Sequence, residues 1–259
     1  MNGRTRLVEA GAGRPTVLVH GVGLDHTMWD EVVEDLAASR IVVRYDLLGH
    51  GATADADGPR SLDDFADQCL AVIDQLETPV DVVGLSLGAL IALRTAARAP
   101  ERVRRLVVVS TAYGRRAEQQ AAVEERLAVA RHDGMDPIAS RAIDRWFTAP
   151  WQAAHPETID GLHTRLTTTD LDGYLKAYEV FVASDDLVRM SAGGLVVPTL
   201  VVAGEHDPAS TPEMAHRLSE DLADARCVIL PDLHHVPPIE APDTFTDAII
   251  SYLDEELTS

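Results

Sequence analysis

A glycine-flanked serine between a predicted strand and a predicted helix constrains this chain more than any other feature. The apolar run Val80–Leu85 predicts a buried strand, and the Ala- and Leu-rich stretch Leu87–Arg98 predicts a helix. Ser86 lies between them in the pattern Gly84-x-Ser86-x-Gly88. Such a turn holds the serine in a strained conformation, with its hydroxyl exposed beside a helix N-terminus that favours negative charge. The pattern therefore predicts a nucleophile, and an ordinary serine in a glycine-rich turn is the alternative interpretation.

Strands and helices alternate along most of the chain. The predicted strands are Arg6–Glu9, Thr16–His20, Ile41–Tyr45, Val80–Leu85, Val103–Ser110, Thr199–Ala203 and Cys227–Leu230. The predicted helices between and after them are Trp29–Ala38, Leu62–Leu76, Leu87–Arg98, Pro212–Leu222 and Pro242–Glu256. Strands separated by helices at this spacing form a parallel sheet with helices on both faces. The sequence therefore predicts the α/β class, with a mostly parallel, doubly wound sheet.

The alternation is interrupted once, between residues 112 and 194, where the pattern is helical with few β-branched runs. The interruption falls where a ligand crevice opens in a doubly wound sheet. We therefore predict a helical lid over residues 112–194, inserted into one α/β core that comprises residues 1–111 and 195–259. A run of ordinary packing helices is the alternative.

The composition limits the partners of the protein. The 259 residues carry a formal net charge of −20, which disfavours nucleic acid and anionic membranes. No apolar run in the sequence reaches the length of a membrane span, and Met1–Gly13 lacks the apolar segment of a secretory signal. Cys69 and Cys227 lie far apart in the chain, which indicates reduced thiols. We therefore expect a cytoplasmic protein, and the sequence leaves the oligomeric state open, a homodimer included.

Two loops near the C-terminus carry the partners that a serine nucleophile needs. A serine is activated by a histidine base, which is oriented by a carboxylate. Asp207 follows the penultimate predicted strand, and His235 follows the last one. Both positions lie at C-terminal strand ends, where a doubly wound sheet forms its sites. The sequence predicts a triad of Ser86, His235 and Asp207, with Glu205 as the alternative acid and His234 as the alternative base.

Backbone N–H groups are predicted to stabilise the oxyanion that forms when the serine attacks. Leu87, which follows the nucleophile, supplies one of them, and Val22 in the loop His20–Gly23 supplies the other. We predict a structural role for His20, because no cluster with metal-ligand spacing accompanies it, and likewise for His50. The sequence also contains neither common phosphate-binding glycine motif, so that no metal and no nucleotide cofactor is expected.

Several longer segments resemble a known family. Over nearly its whole length the chain resembles the α/β-hydrolase superfamily, in which the triad follows the chain order serine, aspartate, histidine. Within that superfamily it is most similar to the 3-oxoadipate enol-lactonases. The segments that carry the resemblance are His20–Trp29, Arg44–Gly51, Gly84–Gly88, Ala99–Leu106, Arg145–Phe147 and Pro198–Pro208. The resemblance implies a serine hydrolase of aromatic-compound catabolism that opens a small lactone or ester through an acyl-enzyme, without a cofactor or metal.

The implied substrate also predicts a cation in the pocket. An enol-lactone of 3-oxoadipate carries a carboxylate, and the net charge of −20 would repel it unless a local cation offset the field. Arg145 and Trp146 are the predicted substrate-binding residues. The other cationic candidates in the predicted lid are Arg131, Arg141, Lys176 and Arg189, and for each of them a solvated helix face is the alternative.

Three departures from the family pattern leave the exact substrate open. Leu48 stands where the family has an arginine, and Ala89 and His234 stand where it has glycines. We expect Leu48 and Ala89 to change the floor of the pocket. A carboxylesterase and a hydrolase of C–C bonds are alternative functions, because the same triad serves them. A non-catalytic ligand receptor on the same fold is the alternative outside the enzymes.

Overall fold

A seven-stranded sheet forms the centre of the protein, which is described by a computed structural model over residues 5–55, 57–77 and 79–255. The strands are β1 (Leu7–Gly11), β2 (Arg14–Val19), β3 (Arg40–Tyr45), β4 (Val80–Leu85), β5 (Val103–Val109), β6 (Thr199–Gly204) and β7 (Ala225–Leu230). Their order is β1-β3-β2-β4-β5-β6-β7, with β1 antiparallel to β3 and all other neighbours parallel. The predicted sheet and each of its predicted strands are therefore present.

Twelve α-helices lie in the described residues. They are α1 (Asp30–Ala37), α2 (Leu62–Ile73), α3 (Leu87–Arg98), α4 (Ala117–Asp133), α5 (Asp136–Trp146), α6 (Ala149–Ala154), α7 (Pro156–Thr168), α8 (Leu171–Ala183), α9 (Asp185–Ala192), α10 (Pro212–Asp221), α11 (Pro237–Glu240) and α12 (Pro242–Asp254). Helices α1, α11 and α12 contact one another, whereas α2, α3, α9 and α10 form a second series of contacts, as two helical layers on one sheet require. The predicted helix Leu62–Leu76 ends earlier, at Ile73, and the predicted end at Glu256 lies outside the described residues.

Helices α4 to α9 follow β5 and precede β6, so they are inserted between two neighbouring strands of the sheet. Within this helical insertion (residues 112–194) the helices contact mainly one another, while α8 and α9 also contact α3. The insertion leaves the sheet at the C-terminal end of β5, the edge at which such sheets form ligand sites. Its definition as a separate lid remains a prediction. In the part of the chain that the structure describes, no helix is long and apolar enough to cross a membrane.

The turn between β4 and α3 depends on two glycines. Ser86 has φ 56° and ψ −113°, a conformation that residues with a side chain rarely adopt. A Cβ atom on Gly84 would overlap the carbonyl oxygen of Gly88, and one on Gly88 would overlap the carbonyl oxygen of Val19 on β2. Glycine at both positions therefore lets the first turn of α3 lie directly against β2 and β4.

We expect Gly88→Ala to lower the free energy of unfolding by about 2 kcal/mol or more, because the added methyl group meets backbone atoms that cannot rotate away. Gly161→Ala is the matched control. Gly161 lies inside α7 with open space at its Cβ position, so alanine there should stabilise the protein by up to about 1 kcal/mol. Urea unfolding measures both effects. A Gly88→Ala protein as stable as the wild type would contradict the close approach.

Candidate active site

Ser86 is fixed from both sides at the C-terminal end of β4. Its backbone N–H donates to the carbonyl of Val109 at 2.9 Å, which continues the pairing of β4 with β5. Its carbonyl accepts the N–H groups of Ala89 at 3.1 Å and Leu90 at 3.3 Å, which open α3. The side chain is only slightly accessible, and the residue lines a cavity at this end of the sheet.

A buried hydrogen bond joins the predicted base to the predicted acid. Nδ1 of His235 lies 2.6 Å from Oδ2 of Asp207. The other carboxylate oxygen of Asp207 accepts the backbone N–H groups of Ala209 at 2.8 Å and Ser210 at 2.9 Å. These donors satisfy a buried carboxylate and set its orientation. Because Nδ1 is engaged by Asp207, Nε2 is the ring nitrogen that remains for the cavity, which His235 lines together with Ser86.

The two alternative residues lie away from this arrangement. The Glu205 carboxylate accepts the backbone N–H of Asp232 at 3.1 Å, on the exposed side of the loop. The His234 ring lies edge-on to the ring of His206, with 6.5 Å between their centroids, and does not line the cavity. The geometry thus joins His235 to Asp207, places His235 and Ser86 on one cavity, and leaves both alternatives away from that hydrogen bond and that cavity.

The cavity lies between the sheet and the helical insertion. Its volume, including the open mouth, is about 590 Å³. The core contributes Ser86, His235 and the loop after β2. The insertion contributes a largely apolar and aromatic wall that includes Ile138, Trp146, Leu166, Tyr174, Tyr178 and Phe181. A largely apolar wall with a few polar groups, such as Ser86 and His235, suits a small organic molecule.

The predicted oxyanion donors belong to two segments that meet at Ser86. Leu87 begins α3, so its N–H has no carbonyl partner one turn earlier in the helix. Val22 lines the same cavity from the loop after β2. The neighbouring Gly21 packs against Leu85 and Ser86, where an added Cβ would already be in tight contact. Two N–H groups at this turn are a suitable environment for an oxyanion.

Two buried histidines hold the loop after β2 in place. His20 donates from Nδ1 to the carbonyl of Gly21 at 2.8 Å, and its Nε2 accepts the N–H of Leu47 at 2.9 Å. His50 accepts the N–H of Gly23 at 3.1 Å and donates to a carbonyl of its own loop. Burial, together with the nearby His50, lowers the pKa of His20 to about 3, and burial also lowers the pKa of His50. Each ring accepts a backbone N–H at Nε2, so both rings are neutral, and their predicted structural roles are confirmed.

Two arginines of the helical insertion line the cavity, one from α4 and one from α5. Arg126 donates from Nε to the hydroxyl of Tyr178 at 2.8 Å, and Arg145 donates to the carbonyl of Arg141 at 2.7 Å. Within residues 5–55, 57–77 and 79–255, neither guanidinium has a carboxylate within 4.0 Å. Burial lowers the pKa of Arg145, and the positive charge of Arg126 lowers it further. The cavity therefore contains two interacting cations without a protein counterion.

The other predicted cations lie outside the cavity. Arg131 and Lys176 form ion pairs with carboxylates of the insertion and of the core. Arg141 and Arg189 are exposed. Of the five cationic candidates, Arg145 alone lines the cavity in the described structure, and Trp146 lines it as well. The expectation that Leu48 and Ala89 change the pocket floor is wrong, because neither of them lines the cavity.

Sequence reasoning missed Arg126, although the sequence contained a signal for it. Helix α4 buries Val123, Leu127 and Ala130, which define its inward stripe. Arg126 lies three residues after Val123 and four residues before Ala130, so it belongs to the same stripe of the helix. An arginine on the buried face of a helix needs a polar or anionic partner. In a helix that is predicted to cover a ligand crevice, the ligand itself is a candidate for that partner.

Two groups of side chains in the described residues have the spacing of metal ligands: the exposed group Glu205, His206 and Asp232, and a more buried group beside the site. Asp25, His26 and Asp46 offer donor atoms within 4.8 Å of one another. However, Asp46 already accepts the backbone and ring N–H groups of His26, at 2.9 and 2.6 Å, and the N–H of Ala52 at 2.8 Å. Asp25 accepts the N–H of Thr27 at 2.8 Å and so caps a short 3₁₀ helix. The oxygen atoms that could bind a metal are therefore already engaged in hydrogen bonds, which hold the loops beside the site.

Known proteins share this fold. The model of the alpha/beta hydrolase family matches residues 16–248. The chain belongs to that family. This α/β hydrolase is 29% identical to 3-oxoadipate enol-lactonase 2 of Acinetobacter baylyi, over 92% of this chain and 88% of that protein. It is 27% identical to the (E)-2-((N-methylformamido)methylene)succinate hydrolase of the same organism, over 98% of this chain and 95% of that protein.

Solved structures agree with the sequence relatives. The crystal structure of the enol-lactonase from Burkholderia xenovorans LB400 matches this α/β hydrolase with a TM-score of 0.90 and 31% identity. The match covers 98% of this chain and 97% of that one, so it includes the sheet and the helical insertion. The protein is therefore a hydrolase of this fold, similar over its length to enzymes that open lactones and hydrolyse related bonds.

The buried histidines of this α/β hydrolase make its stability depend on pH. The pKa of His20 is lower in the folded protein than the ordinary 6.5, so unfolding takes up a proton and stability falls as the pH decreases from 6.5 towards 3. His20→Gln should remove the contribution of His20 to the pH dependence. The slope of the free energy of unfolding against pH should then decrease by up to about 1.4 kcal/mol per pH unit. Urea unfolding at pH 7 and pH 5 measures it.

His216→Gln, which replaces an exposed histidine, is the control for the loss of a histidine as such. It should keep the wild-type difference in the free energy of unfolding between pH 7 and pH 5. A His20→Gln protein with the same difference as the wild type would show that the buried ring does not titrate in this way.

Proposed function

We propose that this α/β hydrolase opens a small lactone or ester that carries a carboxylate, and that 3-oxoadipate enol-lactone is its substrate. The observation that carries the proposal is the pair Arg126 and Arg145, which lack a carboxylate partner in the cavity that Ser86 and His235 line. Two guanidinium groups in a largely apolar pocket are stabilised when an anion enters between or beside them. A carboxylated substrate provides that anion.

The relatives support a substrate of this class. The curated relatives act, by their names, on an enol-lactone of 3-oxoadipate and on a substituted succinate. Since 3-oxoadipate and succinate are dicarboxylates, each of these molecules keeps at least one carboxylate. The local cations would offset the net charge of −20, which otherwise repels such a substrate from the protein.

In the proposed reaction, His235 Nε2 takes the proton of the Ser86 hydroxyl as Oγ attacks the carbonyl carbon of the lactone. The N–H groups of Val22 and Leu87 stabilise the oxyanion. Asp207 stays ionised, holds the ring in the tautomer that accepts at Nε2, and stabilises the imidazolium that forms. When the oxyanion collapses, the ring C–O bond breaks and an acyl-enzyme forms.

The leaving group remains attached to the acyl chain, because the substrate is cyclic. His235 protonates the departing enol oxygen, and the enol rearranges to the ketone. Water, deprotonated by His235, then attacks the acyl-enzyme, and the Ser86–acyl bond breaks to release the acid. Arg126 and Arg145 bind the distant carboxylate through both steps, so the chain stays oriented while the ring is open.

We further propose that the substrate comes from aromatic-compound catabolism and that the reaction takes place in the cytoplasm. Cys69 and Cys227 are both free thiols, which is compatible with a reducing compartment. A small-molecule substrate is the expected partner, and a homodimer remains an open prediction. A carboxylesterase of uncharged substrates is the second candidate, because most of the cavity wall is apolar.

Ser86→Ala should lower kcat by about 1,000-fold or more while the protein stays folded, because the acyl-enzyme can no longer form. The loss of enol-lactone ultraviolet absorbance measures the rate. Ser110→Ala is the matched control, since Ser110 also has a positive φ, follows the neighbouring strand β5, and has a buried hydroxyl without a partner in the described structure. Normal turnover by Ser86→Ala would reject the nucleophile.

Replacing Arg126 or Arg145 by Gln should lower kcat/KM for the carboxylated lactone by about 10- to 100-fold, the cost of one charge-assisted hydrogen bond. A neutral short-chain nitrophenyl ester should be affected much less, because it has no carboxylate to bind. Arg131→Gln is the control, since Arg131 belongs to the same helix as Arg126 but pairs with Glu179 at the surface. Equal losses on both substrates would reject carboxylate binding and favour the esterase.

A further inference from the structure

A second buried carboxylate lies beside the base, and the reaction described above does not use it. Glu240, at the end of α11, is only 7% exposed. One of its oxygens accepts the backbone N–H of His234 at 2.8 Å, and the other accepts the backbone N–H of Thr148 at 2.7 Å. In the described residues no Arg, Lys or His side chain forms an ion pair with it. A buried carboxylate is costly, so its two N–H donors must both be present to stabilise it.

The two donors belong to different parts of the fold. His234 directly precedes the base, in the loop between β7 and α11. Thr148 lies two residues after the end of α5, the helix of the insertion that carries Arg145 and Trp146. A third hydrogen bond runs in parallel, from the N–H of His235 to the carbonyl of Trp146 at 3.1 Å. Three hydrogen bonds from backbone N–H groups thus connect the loop of His235 to the end of α5. The carboxylate of Glu240 accepts two of them, and the carbonyl of Trp146 accepts the third.

We propose that Glu240 is a positioning residue, which holds the base loop and the substrate-binding end of α5 in one fixed arrangement. The proposal rests on the proposed function only in taking His235 as the base. Glu240 itself touches neither substrate nor the reacting atoms. Because a carboxylate has two accepting oxygens, it can satisfy both N–H groups at once. An amide has only one accepting oxygen, so that Gln at this position would confront one N–H with its own N–H₂ group.

The proposal predicts that Glu240→Gln lowers kcat by about 10- to 100-fold, the loss expected when a catalytic group shifts by a fraction of an ångström to one ångström. Since the base serves every substrate, the carboxylated lactone and the neutral nitrophenyl ester should lose the same factor in kcat, with little change in KM. This pattern differs from that of the arginine variants, which affect the carboxylated substrate selectively. Glu205→Gln is the matched control and should keep wild-type kcat, because that carboxylate also accepts a loop N–H but is exposed.

A second pair of variants removes one donor and leaves Glu240 intact. Thr148 has φ −66°, and Phe147 before it has φ −134° and ψ 147°, so proline at 148 fits the backbone. The proline Cδ replaces the N–H group and displaces the Glu240 oxygen that accepts it at 2.7 Å. Thr148→Pro should therefore lower kcat, whereas Thr148→Ala, which keeps the N–H, should not. Thr148→Pro and Glu240→Gln break the same contact. The double variant should therefore lose no more kcat than the more affected single variant, whereas independent effects would multiply.

A spectroscopic measurement separates positioning from stability. The proton between His235 and Asp207 gives a downfield proton NMR signal when that bond is ordered, and the signal should weaken or exchange faster in Glu240→Gln and Thr148→Pro. Wild-type kcat and an unchanged signal in a folded Glu240→Gln protein would overturn the proposal. So would a lower melting temperature with kcat unchanged. If His235→Ala kept full activity, the proposed function itself would fail.

Discussion

The close approach of α3 to strands β2 and β4 is the contact on which the rest of the site depends. A side chain at Gly84 or Gly88 would overlap backbone atoms, so the turn exists only because both positions lack a Cβ. This contact holds Ser86 in its positive-φ conformation and lets α3 begin at Leu87, at the edge of the cavity. Since parallel strands end at one edge of the sheet, the loops after β2, β6 and β7 reach the same point.

The distribution of positive charge indicates what enters the cavity. The chain has 22 basic and 42 acidic residues, so counterions for arginine are plentiful. Arg40 and Arg104, for example, both bind the fully buried Asp81 and tie β3, β4 and β5 together. Arg126 and Arg145, by contrast, share one largely apolar cavity and have no carboxylate partner in the described structure. In a medium of low dielectric constant, an anion that enters this cavity would interact with them more strongly than it would at the surface.

His235, the proposed base, is held by more than its proposed acid partner, Asp207. Asp207 orients the ring of His235, while the backbone on either side of that ring is bound to the end of α5, directly and through Glu240. The wall that carries Arg145 and Trp146 is therefore part of the structure that positions the base. A change in the helical insertion, which at first sight concerns substrate binding alone, would then also alter the rate of proton transfer.

The sequence by itself determined the alternation of strands and helices in the α/β core, the turn at Ser86 and the loops of Asp207 and His235. Each of these is marked by a local pattern: an apolar run, a glycine spacing or a strand end. Only the tertiary structure decided between Asp207 and Glu205, two residues apart in one loop, since the path of that loop selects which carboxylate reaches His235. It also placed Arg126 at the cavity and two backbone N–H groups at the carboxylate of Glu240. Their partners are distant in the chain, and no local pattern reveals which face of a helix will meet a cavity or which backbone N–H groups will converge on one carboxylate.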